Sequence, residues 1–98
     1  MTTKDYILNT LRTQKKKLNQ YGVQRVGLFG SYLMEQQSEN SDIDILIEFS
    51  TEGESFDNLM FICDFLEILF KDEKIDIVTK NGLSPYIGPE ILKEVLYV

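Results

Sequence analysis

Three aspartates and a Gly-Ser pair are the residues of this 98-residue chain whose types and spacing could do chemistry. Gly30-Ser31 is followed, after ten intervening residues, by Asp42-Ile43-Asp44, and a third carboxylate, Asp76, interrupts the apolar run Ile75 to Val78. On a strand, Asp42 and Asp44 share one face about 6.6 to 6.8 Å apart, because each residue rises about 3.3 to 3.4 Å. Both can then reach one hard cation. Magnesium takes oxygen ligands, keeps several waters, and is typically held by one or two carboxylates plus substrate phosphates. Gly30 and Ser31, closing one strand and opening a helix, offer an anion backbone N–H groups, a hydroxyl and a helix N-terminus. Taken singly, a D-x-D on an exposed edge strand or a Gly-Ser turn is an ordinary solvated feature. Aspartate is depleted in strands, however, and three on polar strand faces need a reason. Shared cations supply one, since a metal pair can activate an attacking oxygen and stabilise a leaving pyrophosphate. Together the residues describe a metal-nucleotide site.

The elements that must position these residues follow from hydrophobic periodicity. Thr3 caps a helix running through about Gln20, with Ile7, Leu8, Leu11 and Leu18 near one stripe and Gly22 as its stop. Val23 to Phe29 reads as a strand ending at Gly30-Ser31, and Tyr32 to Gln37 as a brief helix. Asp42 to Phe49 alternates: Ile43, Ile45, Ile47 and Phe49 point one way, Asp42, Asp44 and Glu48 the other. Ser55 caps the main core helix, Phe56 to Phe70, whose buried stripe is expected to be Phe56, Leu59, Met60, Cys63, Leu66 and Phe70. Lys74 to Thr79 is a third strand, Asn81-Gly82 a turn, and Gly88-Pro89 opens a C-terminal helix through about Leu96. The order is αβαβαβα, an α/β (α+β) chain of about three strands, expected to be one domain over residues 1–98.

Composition removes most other chemistries. Hydrophobic residues at 43% and charged residues at 27% place the chain among folded, soluble domains rather than disordered ones. Without histidine there is no Ser-His-Asp or Cys-His centre, and zinc would have only carboxylates and one thiol. Cys63 has no intrachain partner and is expected to be a core thiol in a reducing cytoplasm. The only long apolar tract, Leu59 to Phe70, is broken by Asp64 and Glu67, and the N-terminus Met1-Thr2-Thr3-Lys4-Asp5 lacks the apolar stretch of a signal peptide, so neither membrane spanning nor export is expected. Residues 1–25 hold six Lys and Arg against one acid, while between Val26 and Phe70 there are ten acids and no Lys or Arg, within a net charge of −6. Such a surface repels phosphates unless cations stand between. Direct nucleic-acid binding is therefore not expected. The run Lys15-Lys16-Lys17 reads as a solvated helix face rather than a contact to RNA or an acidic partner, and Tyr86 and Tyr97 as core or interface residues rather than the lining of an acceptor pocket.

Leu28-Phe29-Gly30-Ser31, Ser41 to Glu48 and Lys74 to Thr79, with the tail Ile87 to Val98, resemble the minimal nucleotidyltransferases of the polymerase-beta-like superfamily. The resemblance covers about residues 21–98. It implies a small mixed sheet flanked by helices, magnesium, and transfer of AMP from ATP. It further implies that Asp42, Asp44 and Asp76 are the metal carboxylates, with Asp76 helping to deprotonate the acceptor, and that Gly30 and Ser31 contact the donor's phosphates. Proteins of this kind resemble the antitoxin half of a two-gene pair, which implies AMPylation of a tyrosine on an all-helical HEPN ribonuclease toxin that it also binds, in a homo- or hetero-oligomer. The alternative is a non-catalytic module that neutralises its partner by covering it. One departure favours that alternative: Leu33, Met34 and Glu35 stand where the family often has a small residue, Arg and Gly, so a cation for the triphosphate is missing.

Overall fold

The computed structural model describes residues 2–98. Helices α1 (Lys4–Thr13) and α2 (Lys15–Gln20) precede strand β1 (Val23–Phe29), the short helix α3 (Gly30–Leu33) and strand β2 (Ile43–Phe49). Helix α4 (Phe56–Leu69), strand β3 (Ile75–Thr79), a 3₁₀ turn (Lys80–Gly82), helix α5 (Gly88–Glu94) and strand β4 (Leu96–Tyr97) complete the chain. The sheet order is β3-β2-β1-β4, with β2 parallel to β3 and both pairings of β1 antiparallel, so the sheet is mixed.

The period-2 pattern of β2 decides the layering. Ile43, Ile45 and Ile47 are fully buried and Phe49 nearly so, joined by Val26 and Leu28 of β1. Against this face lie Ile7, Leu8 and Leu11 of α1, Leu18 of α2, and Ile62 and Leu66 of α4. Each buried aliphatic side chain contributes about 1.5 to 3 kcal/mol, which makes this face the core. The opposite face carries Asp44, Leu46 and Glu48, and the α5–β4 segment closes over it: Val95 packs so near β1 that a Cβ on Gly27 would meet its Cγ2 at 2.7 Å. Leu46 is fully buried there, so the face is polar only at its two ends.

Four expectations are corrected. The single helix from Thr3 to Gln20 is two, because the Thr13 hydroxyl takes the Thr10 carbonyl (2.8 Å) and Gln14 N–H turns to Leu11 O (3.1 Å). This side-chain competition tightens the turn and breaks the ladder. The brief helix begins at Gly30 rather than Tyr32 and ends at Leu33. The buried stripe of α4 is Ile62 and Leu66, continuing to Phe70, while Phe56 is 75% exposed, Met60 is exposed and Cys63 is half-buried. That helix is apolar on nearly every side, so periodicity could not choose its face; Phe61 stacks on Tyr21, and Lys17 Nζ lies 5.3 Å from the Phe65 ring. Finally, α5 stops at Glu94 and the chain adds a fourth strand, Leu96–Tyr97.

The loop after β2 is seated by a close approach of two backbones. Ser50 N–H donates to Gly22 O (2.9 Å), and a Cβ on Gly53 would lie 2.5 Å from Gly22 Cα. Gly53 is not in the left-handed region, so Gly53→Ala tests the contact alone. The variant is expected to lose about 1 to 3 kcal/mol through overpacking, seen as a lower urea midpoint at unchanged slope. An unchanged midpoint would show that the loop yields without cost.

Candidate nucleotide and metal site

Parallel pairing of β2 and β3 sets Asp44 directly beside Asp76, and antiparallel pairing sets Phe29 beside Asp44. The carboxylates of interior β2 and edge strand β3 thus meet where β1 turns into Gly30. Asp42 stands one residue before β2 and is exposed, Asp44 is half-buried, and Asp76 is exposed. β2 is an interior strand, not an edge, which is why Asp44 has neighbours on both sides. Gly30 has φ +77, and a Cβ built on it would fall on Asp44 Oδ2. Ser31 is half-buried beside it, its carbonyl accepting from Gln36 N (2.8 Å). All five expected residues therefore cluster at one end of the sheet's second face.

Charge separates the two ends of β2. Glu48 receives Arg25 Nε at 2.7 Å and Lys80 Nζ at 3.3 Å, and these partners hold its carboxyl below the usual range. Arg25 also lies 4.1 Å over the Tyr97 ring. Four residues earlier on the same face, Asp44 is pushed up to about 6 by burial first, then by the charges of Asp76, Asp42 and Glu94. Both ion pairs among the described residues go to Glu48. The Asp44 end is thus an uncompensated concentration of hard oxygen donors, and a hard dication relieves such repulsion. Among the described residues no three carboxylate or thiol groups gather into a ready metal cage. The donor set instead suits an ion completed by water and a bound phosphate, as magnesium sites commonly are.

Glu94 also belongs to this cluster, although sequence reasoning did not single it out. Its Oε1 accepts from Gly30 N–H at 3.1 Å. A shallow groove of about 850 Å³ leads away from Asp42, lined by Ile68 and Ile75, by Lys71 and Lys74, and by the acids Asp64, Glu67 and Glu73. The residues replacing the family's Arg and Gly lie just beyond α3: Met34 is 54% exposed, and Glu35 has the left-handed φ of 57° that a glycine adopts without strain. Tyr86 is exposed rather than packed, and Tyr97 is half-buried. No helix among the described residues is long and apolar enough to cross a membrane.

The chain is similar to known proteins in sequence and in fold. Residues 8–98 match the family model described as a nucleotidyltransferase domain. The chain is 36% identical to the protein adenylyltransferase MntA of Thermococcus cleftensis, covering all of this chain and 98% of that one. It superposes on a solved structure described as a candidate minimal nucleotidyltransferase with TM-score 0.72 and 31% identity, over 91% of this chain and 93% of the other. A toxin-antitoxin structure with AMP-PNP shares the fold at TM-score 0.66 and 23% identity, over 98% and 72% of the respective chains. With Gly30, Ser31 and the aspartates at one end of a mixed sheet of this kind, the chain belongs to the nucleotidyltransferase domain family and has the minimal nucleotidyltransferase fold.

Proposed function

We propose that residues 1–98 act as one catalytic unit that transfers AMP from ATP to a hydroxyl of a partner protein, a tyrosine of a HEPN-type toxin, and so serve as its antitoxin in the cytoplasm. The observation that carries the reading is the unpaired Asp44–Asp76 end of the sheet beside Gly30, on a fold whose relatives include a named protein adenylyltransferase. Asp42, Asp44 and Asp76 would hold magnesium, which when bound supplies charge neutralisation for the triphosphate.

The chain's own residues do the rest. Gly30 N–H and the Ser31 hydroxyl orient the donor's phosphates so that the α-phosphorus faces the carboxylates. The acceptor hydroxyl oxygen forms the new bond to that phosphorus as the bond to pyrophosphate breaks, and the hydroxyl proton passes to an Asp76 carboxylate oxygen. The groove from Asp42 past Ile75 and Ile68 offers the acceptor segment two apolar contacts among charged side chains, acids Asp64, Glu67 and Glu73 with Lys71 and Lys74.

Incubating the chain with magnesium, ATP and the product of the neighbouring gene tests the reading by intact mass. The partner is expected to gain one or more AMP units, lost when Asp76 is replaced by Asn. A partner that binds tightly and is neutralised without any mass change would instead establish the covering module, which Met34 in place of a cation favours.

A further inference from the structure

The C-terminal segment is aligned to the phosphate turn by strand register. β4 pairs Tyr97 with Gly27 and Leu96 with Leu28, and Val98 N–H donates to Val26 O at 3.0 Å. Continued two residues further, the same antiparallel register sets residue 94 opposite residue 30. There α5 ends, and the Glu94 carboxylate takes the Gly30 N–H at 3.1 Å. Val95, seated against Gly27, fixes the backbone on one side of Glu94, while the Glu94 side chain itself is exposed.

We infer that Glu94 is an affinity-determining residue for the donor: its carboxylate occupies the Gly30 N–H that a nucleotide phosphate needs, and must be displaced before the donor seats. The inference rests on the reading of Gly30-Ser31 as the phosphate-contacting turn. A backbone N–H pointing at one carboxylate oxygen is not free for a phosphate oxygen, so the binding-competent fraction of the chain is reduced and the apparent dissociation constant rises by that factor. Glu94 also adds its charge to the aspartate cluster. Contact and charge act in the same direction, and substitutions can separate them. Glu94→Ala removes both, whereas Glu94→Gln removes the charge but keeps an oxygen able to accept from Gly30.

The test is calorimetric titration of magnesium-ATP into the parent, Glu94→Ala and Glu94→Gln, alongside the Gly30 amide resonance in ¹H–¹⁵N spectra of each folded protein. Glu94→Ala is expected to bind about 3- to 10-fold tighter than the parent, with Glu94→Gln between them. The Gly30 amide is expected to shift in nucleotide-free Glu94→Ala relative to the parent, and the two are expected to converge at saturating nucleotide. Equal gains in Ala and Gln with an unmoved Gly30 resonance would reduce Glu94 to a remote charge and overturn the inference, as would a parent that binds at least as tightly as Glu94→Ala. If neither parent nor variants bind nucleotide, the donor-site reading itself falls and takes this inference with it.

Discussion

Replacing Asp44 by asparagine is expected to abolish nucleotidyl transfer while making the metal-free protein more stable at neutral pH. The two effects have one cause. Asp44 lies between the charges of Asp76, Asp42 and Glu94 in a half-buried position, and its carboxyl is pushed up to about 6 from an ordinary value of 3.8. A raised pKa means that the folded chain holds this proton more tightly than the unfolded chain does. Below pH 3.8 both states are protonated and asparagine changes little; between 3.8 and 6 the penalty of ionising the folded carboxyl grows, and above 6 it is complete. Two pKa units would correspond to about 3 kcal/mol for a fully enclosed group. Partial exposure and screening bring the expected gain for Asp44→Asn to about 1 kcal/mol at pH 7.5, with almost none at pH 3.5. Transfer is expected to fall about 10²- to 10³-fold or more, the scale for losing one preorganised electrostatic group. Urea unfolding at both pH values, with and without magnesium, measures the first effect: magnesium should stabilise the parent more than the variant. Parental turnover in Asp44→Asn would remove Asp44 from the site.

What was legible in the sequence was what period and residue type encode locally. The alternation of Ile43, Ile45, Ile47 and Phe49 fixed both the strand and its buried face, and with it the face of Asp44. The Gly30-Ser31 to Asp42-Ile43-Asp44 spacing marked two places that antiparallel pairing then brings together. Periodicity failed where polarity was uniform: with Phe61, Ile62, Phe65, Leu66 and Leu69 around α4, an apolar stripe could be drawn on almost any side. It failed again at Leu96–Tyr97, because a two-residue strand is held by backbone pairing with Gly27 and Leu28 and leaves no pattern of its own. Glu94 was invisible for the same reason. Its place beside Gly30 comes from β4 register, a long-range property, and by type it is one more acid at the end of an amphipathic helix.

The Gly30 position should be the most sensitive in the proposed phosphate turn, and the structure changes the reason for expecting so. The residue sits at φ +77, where an L side chain is strained by about 1 to 2 kcal/mol and a β-branched one by more. The space a Cβ would need is occupied by Asp44 Oδ2, so a substitution displaces the carboxylate proposed to bind metal before any phosphate arrives. Gly30→Val is therefore expected to lose about 2 kcal/mol of stability, a fall in melting temperature of about 8 to 16 °C for a domain of this size, and to lose nucleotide binding even where it remains folded. Gly30→Ala separates the two effects, since its smaller side chain strains the backbone less but still meets Asp44. Ser31→Ala is the mild neighbour: it removes one hydroxyl contact, worth about 0.5 to 1.5 kcal/mol, or up to about 3 to a charged phosphate, without moving the backbone. The expected order of damage to magnesium-ATP affinity, read by calorimetry on samples shown to be folded, is Gly30→Val, then Gly30→Ala, then Ser31→Ala. A folded Gly30→Ala that binds nucleotide as the parent does would mean that the Asp44 carboxylate can give way freely, and that its position against Gly30 does not set the geometry of the site.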